Sequence, residues 1–513
     1  MFGNMPILSL LIWLPLFGGG IILLSPFKKN YKLIQVISIF FVIITLFICY
    51  FIIKDFKLSS WEMQYIEHYE WLPSIGIYYS LGIDGFSLPL IVLTCFISFI
   101  VFLSGHNIIK YHVHYYYSAF LIMQSFITGM FCALDSILFY VFFEAMLIPM
   151  FIIIGIWGGV DRVYATLKFF LYTFLGSVFL LISIIYLHFI ALEEDFSGKL
   201  TFAISTFQSL PLTIVEQKYI FCAFLFAFAI KVPMFPVHTW LPDAHVEAPT
   251  GGSVVLAAIT LKVGGYGIIR FLLPIVPDIC LKYDWIVIFL SLIAILYIAL
   301  VALVQNDLKK LIAYSSISHM GFVTLGLFLI FQIILKTENH LEAVMSVEGS
   351  MVQMISHGFI SGALFLCVGV LYERMHTRLI SNYGGVVNTM PIFAAFFMLF
   401  AMANSGLPGT SGFVGEFLVI LSAFKVNIWY SLFAGSTLLF GAAYTLWMYK
   451  KVMFGVIKNH AVAMLYDLRI NEKLVFLLLS FCILFFGIYP KPLLDIIHSS
   501  AEHLIIQVMQ SKI

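Results

Sequence analysis

Stretches of about 20 mostly apolar residues recur along this chain, and that length is what a ~30 Å hydrocarbon core demands of a helix. Fourteen can be counted, at about 5–25, 33–53, 84–104, 113–132, 134–156, 165–190, 217–237, 251–273, 284–305, 310–335, 350–372, 388–424, 428–449 and 473–490. In lipid, each backbone N–H and C=O needs an internal partner, so such stretches become helices and little else. The expected fold is therefore all-α, a polytopic membrane protein with about 14 transmembrane helices. Hydrophobic residues form 62% and charged residues 10% of 513, far from the ~45–50% and ~25% of soluble domains. A net charge of +1 and the lack of any basic tract exclude a nucleic-acid partner. The partner this composition calls for is the lipid bilayer.

Four charges interrupt those apolar stretches: Glu144 in FYVFFEAMLIPMF, Lys231 in FAIKVPMFP, Lys262 in AAITLKVGGYG and Glu416 in SGFVGEFLVIL. A charge near the bilayer centre costs roughly 2.5–3.5 kcal/mol on insertion scales, so an intramembrane ionisable group points to an ion or proton path. Static ion pairing is the plainer reading, with Glu144 and Lys231 as partners. Lys262 sits near mid-span, too deep to snorkel easily. His319 in SSISHMGF and His357 in MISHGFISG fall on the tenth and eleventh spans. A neutral imidazole donates at one nitrogen and accepts at the other, which suits proton relay, though many membrane histidines only pack. His106, His112 and His114 lie near a loop and read as solvated. Asp84 and Asp135, at span edges, read as helix caps.

Two spans carry internal breaks. Pro233 and Pro236 lack N–H groups, which frees the carbonyls of Ala229 and Val232 beside Lys231. Gly406-Leu407-Pro408-Gly409 interrupts a segment too long for one straight helix. These breaks fall in the seventh and twelfth spans, five apart. Broken helices at corresponding places in two halves mark transport sites. The chain thus divides into residues 1–110 (three spans), 111–275 (spans four to eight), 276–455 (spans nine to thirteen) and 456–513 (the last span and a tail). The two middle parts would form inverted five-helix repeats, each with one broken helix.

An even span count puts both termini on one side. With that side outward, the inward loops hold 15 of the 27 basic residues, including Lys28, Lys29, Lys110, Lys309 and Lys458. An acidic loop around Glu62, Glu67 and Glu70 would lie outside. The tail sets Leu494, Ile497, Ala501 and Leu504 at helical spacing, as in a helix lying along the membrane or a partner. The seven cysteines form no C-x-x-C pair and read as small buried hydrophobes. No phosphate loop, dinucleotide fingerprint or H-E-x-x-H motif is present.

The run KVPMFPVHTWLPDAHVEAP from Lys231 to Pro249, with LGIDGFSLPL, FYVFFEAMLIPMFIIIG, NDLKKLIAYSSISHMGF, ISHGFISGALFLCVGVLYERMHTR and GLPGTSGFVGEF, closely resembles the antiporter-like membrane subunits of respiratory complex I. The resemblance spans essentially the whole chain. It implies a fourteen-helix proton-pumping module. Glu144 and Lys231 would be the charge pair of the first half, Lys262 the central connector, His319 and His357 relays, and Glu416 the exit-side group. A carboxylate at Glu416 marks one branch of the family, where sister chains and multi-subunit sodium/proton antiporters usually carry lysine. The resemblance also implies no cofactor in this chain: NADH, FMN, iron–sulfur clusters and quinone would belong to partner subunits. Sister antiporter-like subunits would be neighbours. The length and the outward tail point to a bacterial inner membrane, and the basic-residue bias puts both termini on its periplasmic side. The alternative is a subunit of a multi-subunit Na+/H+ antiporter without redox chemistry. Residues 332–349 depart from the family pattern as an extended loop.

Overall fold

The computed structural model describes residues 5–24, 30–105, 109, 111–193, 201–457 and 459–513. Its spanning helices are α1 (Ile7–Leu24), α2 (Tyr31–Asp55), α3 (Ser87–Ser104), α4 (Val113–Cys132), α5 (Ser136–Trp157), α6 (Arg162–Glu193) and α7 (Ile214–Lys231). A short α8 (Trp240–Glu247) leads into α9 (Thr250–Ile275), α10 (Pro277–Leu303), α11 (Leu308–Thr337) and α12 (His340–Met375). The last are α13 (Pro391–Asn404), α14 (Ser411–Val426), α15 (Ile428–Met453), α16 (Ile470–Ile488) and α17 (Lys491–Val508). Among the described residues, eleven helices are long and apolar enough to cross a membrane unaided. The other three expected spans are α4, the proline-ended α7, and α13 with α14, which share one crossing around a break.

Short polar side chains start these helices by taking up N–H groups that lack a partner inside the helix. Asp135 accepts from Ile137 and Leu138 at the head of α5, and Asp307 from Lys309 and Lys310 at the head of α11. Asn427 caps α15 in the same way. Asp84 accepts from Phe86 and Ser87, and its other oxygen meets Arg270 Nη2 at 2.6 Å. It is a cap and an ion-pair partner together.

The helices α9, α11 and α12 form the middle of the molecule. The apolar windows of α9 and α12 are entirely covered by other helices, whereas those of α2 and α16 are 28% buried. Polar groups near the molecule's axis are thus kept from lipid.

Several sequence expectations need correction. The acidic segment is a β-hairpin, β1 (Gln64–Leu72) and β2 (Ile77–Ile83), antiparallel with Glu67 opposite Leu81. Glu67 reaches the N-terminal turn of α1, accepting from Leu8 at 2.7 Å and Ser9 at 3.1 Å. Residues 332–349 are not a loop: α11 continues to Thr337 and α12 starts at His340, capped by Asn339. The polar residues that suggested a loop find partners elsewhere, Glu342 at Lys425 (3.0 Å) and Glu348 at His498 (2.7 Å).

The tail is helical as its spacing implies, but it lies on the protein's own body. Its buried stripe is Leu493, Ile497, Ala501, Leu504 and Val508, and Ser500 Oγ accepts from Gly85 N–H at 3.0 Å. Five cysteines are buried, Cys482 is half-buried and Cys222 is exposed on α7. His112 is exposed and His114 half-buried, while His106, Lys28, Lys29, Lys110 and Lys458 lie outside the described residues.

Candidate functional site

Lys231 is the last residue of α7, where Pro233 stops the helix. Of the two carbonyls expected to be freed there, that of Ala229 is reclaimed. Met234 N–H donates to Ala229 O at 2.7 Å, and Trp240 Nε1–H to Ile230 O at 2.9 Å. Lys231 is 3% exposed, with Nζ 4.6 Å from the centroid of the Phe143 ring. A cation over an aromatic face gains roughly 0.5–2 kcal/mol. The expected ion pair with Glu144 is not made directly. The two charges lie close enough to interact, yet no N···O contact within 4.0 Å joins them. Glu144 Oε1 is buried without a hydrogen-bond partner. Phe143, one residue earlier on α5, takes the place facing the ammonium.

Lys262 lies on α9, between two stretches wound with the wider π-helical turn, Leu256–Thr260 and Ile268–Leu272. Such bulges shift carbonyls out of the ordinary ladder and recur at functional sites. Lys262 Nζ donates to Ala257 O at 2.6 Å and stands 2.8 Å from His357 Nδ1 on α12. It is fully buried. Gly264 lets α9 touch the end of α7: a Cβ there would stand 2.7 Å from Val232 N and 2.8 Å from Phe228 O. The Lys231 end of α7 and Lys262 are thereby held in adjacent turns of packed helices.

From Lys262 the ionisable groups continue across the core. The His357 and His319 ring centroids are 6.0 Å apart, and His357 Nε2 has no partner. His319 Nδ1 is 2.7 Å from Glu416 Oε1 on α14. Gln353 Nε2 donates to the same oxygen at 3.2 Å. Glu416 is 2% exposed, and its Oε2 is unpartnered. That oxygen points at the second break. Gly406 has φ +75°, a left-handed conformation that glycine takes without strain, and a Cβ there would lie 3.2 Å from Glu416 Oε2. Behind the pair, Tyr444 OH is 3.4 Å from His319 Nε2 and 2.8 Å from Ser315 Oγ. Asn404 Nδ2 donates to Ser315 and Thr445 at 3.1 and 3.0 Å. The structure thus joins Lys262, His357, His319 and Glu416 into one buried row, with Lys231 and Glu144 at its near end.

Sequence reasoning missed several members of this core. Lys309, assigned to an inward loop, is 4% exposed, with Nζ donating to Ala248 O at 2.6 Å and to Ser253 Oγ at 3.3 Å. Its place two residues after the cap Asp307 is the signal that could have moved it inside. His245 is fully buried against Phe365, at 4.5 Å and 11° between rings, with both nitrogens unpartnered. Gln353 lies four residues before His357, one helical turn away on the same face of α12.

Residues 133–441 match the family model described as NADH:quinone oxidoreductase/Mrp antiporter, TM. The chain is 47% identical to NADH-quinone oxidoreductase subunit M of Rhodobacter capsulatus over 90% of its length and 88% of that protein. It is 44% identical to subunit M of Rickettsia typhi, over 98% and 99% of the two chains. Respiratory complex I from Thermus thermophilus contains a chain that superposes with TM-score 0.86 at 29% identity, covering 99% of this chain and 100% of that one. The Mrp complex from Dietzia sp. DQ12-45-1b shares the fold, with TM-score 0.83 at 20% identity. With the broken helices, the buried Lys–His–Glu row and this likeness over nearly its full length, the chain belongs to the NADH:quinone oxidoreductase/Mrp antiporter transmembrane family, in the company of the NADH-quinone oxidoreductase subunit M chains.

Proposed function

We propose that this chain is a proton-translocating membrane subunit of an NADH-quinone oxidoreductase, driven by quinone reduction in other subunits. NADH, FMN, iron–sulfur clusters and quinone belong to those partner chains, and the role of this one is non-redox. Its neighbours are other membrane subunits, sister antiporter-like chains among them. The seat is a bacterial inner membrane, with both termini on the periplasmic side. Residues 111–275 and 276–455 form the two repeats, each contributing one broken helix.

The observation that carries this reading is the buried row from Lys262 through His357 and His319 to Glu416. At 2.8 Å, Lys262 Nζ can pass a proton to His357 Nδ1: one N–H bond breaks as another forms, and the positive charge moves onto the ring. The ring then yields a proton toward His319, whose partner Glu416 accepts it at 2.7 Å. Like charges repel strongly where water is excluded. A proton arriving on Lys231 therefore favours release from Lys262, which lies two residues from the Gly264 contact. Protonating Glu144 removes the negative charge that holds the Lys231 proton in place. The antiporter alternative is the weaker reading, since identities of 47% and 44% support the redox-driven complex while the Mrp likeness at 20% concerns fold alone.

The test is Lys262→Met in the assembled complex. NADH-driven proton uptake into sealed inside-out vesicles is expected to fall by at least half, with the complex intact on a native gel. Wild-type uptake by an intact complex would overturn the role of the row.

A further inference from the structure

Glu416 ends the ionisable row near the middle of the membrane, so a proton reaching it still needs a way to the surface. On α12 a second set of polar residues runs from Glu416 to one end of the helix: Gln353, Ser350, Ser346 and Glu342. Their spacing of three, four and four residues puts all on one face. Ser346, Ser350 and Gln353 are 0, 0 and 2% exposed, and Glu342 sits where α12 emerges, its side chain 19% exposed and 3.0 Å from Lys425. At 1.5 Å per residue the stripe is about 16 Å long, near half of a ~30 Å hydrocarbon core.

We propose that this stripe is the proton outlet of the Glu416 site, with Glu342 as its surface carboxylate. The inference rests on the proposed function and adds where the proton leaves. Three observations support it. First, unpartnered oxygens recur from Glu416 to the helix end: Glu416 Oε2, Gln353 Oε1 and Glu342 Oε2 are each buried with no hydrogen-bond partner. Second, the hydroxyls between them are held in place by carbonyls, Ser346 Oγ donating to Gly326 O at 2.7 Å and Ser350 Oγ to Ser346 O at 3.0 Å. Each hydroxyl oxygen retains acceptor capacity toward the stripe. Third, Gly326 on α11 leaves room for them, since a Cβ there would lie 2.2 Å from Ser350 Oγ.

One turn of helix separates successive groups by about 6 Å, the span of one bridging water with two hydrogen bonds. The proton leaves the Glu416 carboxyl, breaking its O–H bond. Each water or hydroxyl on the line takes one proton and gives one up, and Glu342 receives the last. Its carboxylate becomes neutral, the tie to Lys425 loosens, and release to water restores the pair. Gln353 passes no proton itself; it positions Glu416 through the 3.2 Å bond to Oε1. The segment expected to be a loop, 332–349, supplies Glu342 and Ser346 from within a helix.

Serine hydroxyls that bond back to their own helix are common packing devices, so the test must separate conduction from packing. In the intact complex, Glu342→Gln and the double variant Ser346→Ala/Ser350→Ala are compared with Lys425→Met, measuring NADH-driven pumping in sealed vesicles. A conducting stripe predicts loss of at least half the pumping in the first two and little loss in Lys425→Met, which breaks the ion pair but keeps the carboxylate. Equal loss in Glu342→Gln and Lys425→Met would overturn the outlet in favour of a structural bridge, as would full pumping by both stripe variants. Glu342→Asp, which keeps the carboxylate, is expected to restore pumping; failure to do so in an assembled complex also counts against the outlet. Glu416→Gln is run alongside. If it abolishes pumping while the stripe variants pump normally, the outlet lies elsewhere and the proposed function stands. If it too pumps normally, the row's part in the proposed function fails together with the outlet.

Discussion

Replacing Glu416 with glutamine isolates the proton from the packing. In the structure Oε1 takes two hydrogen-bond contacts, from His319 at 2.7 Å and Gln353 at 3.2 Å, while Oε2 has none. A glutamine can keep its carbonyl oxygen on the occupied side and put its NH2 where Oε2 was already unpartnered. The fold therefore loses little, roughly within 1 kcal/mol, the net worth of one ordinary hydrogen bond. Glu416→Ala is different: it strands His319 Nδ1 and Gln353 Nε2, at about 1–3 kcal/mol each, and opens a cavity. Glu416→Gln should thus assemble like wild type on a native gel and melt within a few degrees of it, whereas Glu416→Ala should be visibly less stable. The amide cannot ionise, so NADH-driven acidification of sealed inside-out vesicles is expected to fall by at least half in the Gln variant. Glu416→Asp, a shorter acid, should retain more pumping than either. Full acidification by a fully assembled Glu416→Gln complex would refute the reasoning and leave Glu416 as a packing residue.

Lys231→Met should assemble but pump poorly in the same vesicles, and Lys231→Arg should also be impaired, since a guanidinium barely deprotonates in proteins; normal coupled activity in either would remove Lys231 from the path. Because Phe143 rather than Glu144 faces the Lys231 ammonium, a double-mutant cycle on complex stability should give a coupling of about 0.5–2 kcal/mol for Phe143 and Lys231; zero coupling would count against that contact. Gly264→Ala pushes a Cβ into backbone atoms of α7 at 2.7 and 2.8 Å, and overpacking of this kind costs typically 1–3 kcal/mol, readable as a lower melting temperature of the purified complex. His498 on the tail helix has its pKa raised by the hydrogen bond to Glu348. Docking by the charged ring is fully present below the unfolded value of ~6.5 and is lost as pH rises through the raised folded value; hydrogen exchange along Lys491–Val508 should quicken across that window, and His498→Ala should flatten the dependence.

Much of this was legible because membrane burial simplifies the code. Glu144, Lys231, Lys262 and Glu416 stood out against apolar neighbours, and the breaks announced themselves through Pro233, Pro236 and Gly406. What was not legible depended on partners distant in the chain. Glu342 and Glu348 made 332–349 look like a loop, because nothing local reveals Lys425 or His498. Glu144 and Lys231 were matched by charge, but Phe143, an ordinary apolar residue in the sequence, occupies the face of the ammonium. Lys309 read as a topological signal and proved to be a buried donor to Ala248. The row from Lys262 to Glu416 needed four helices to converge, which periodicity along one helix does not encode.

The proline break in α7 has one more consequence. With Ala229 O taken by Met234 and Ile230 O by Trp240, the interruption is braced on both sides, and bending it would strand two carbonyls where no water replaces the bond. That bracing suits a mount for Lys231 better than a hinge. On the proposed function, alternation of access in this half falls to the lysine's own four-carbon arm, so the working stroke is a few ångströms of one side chain.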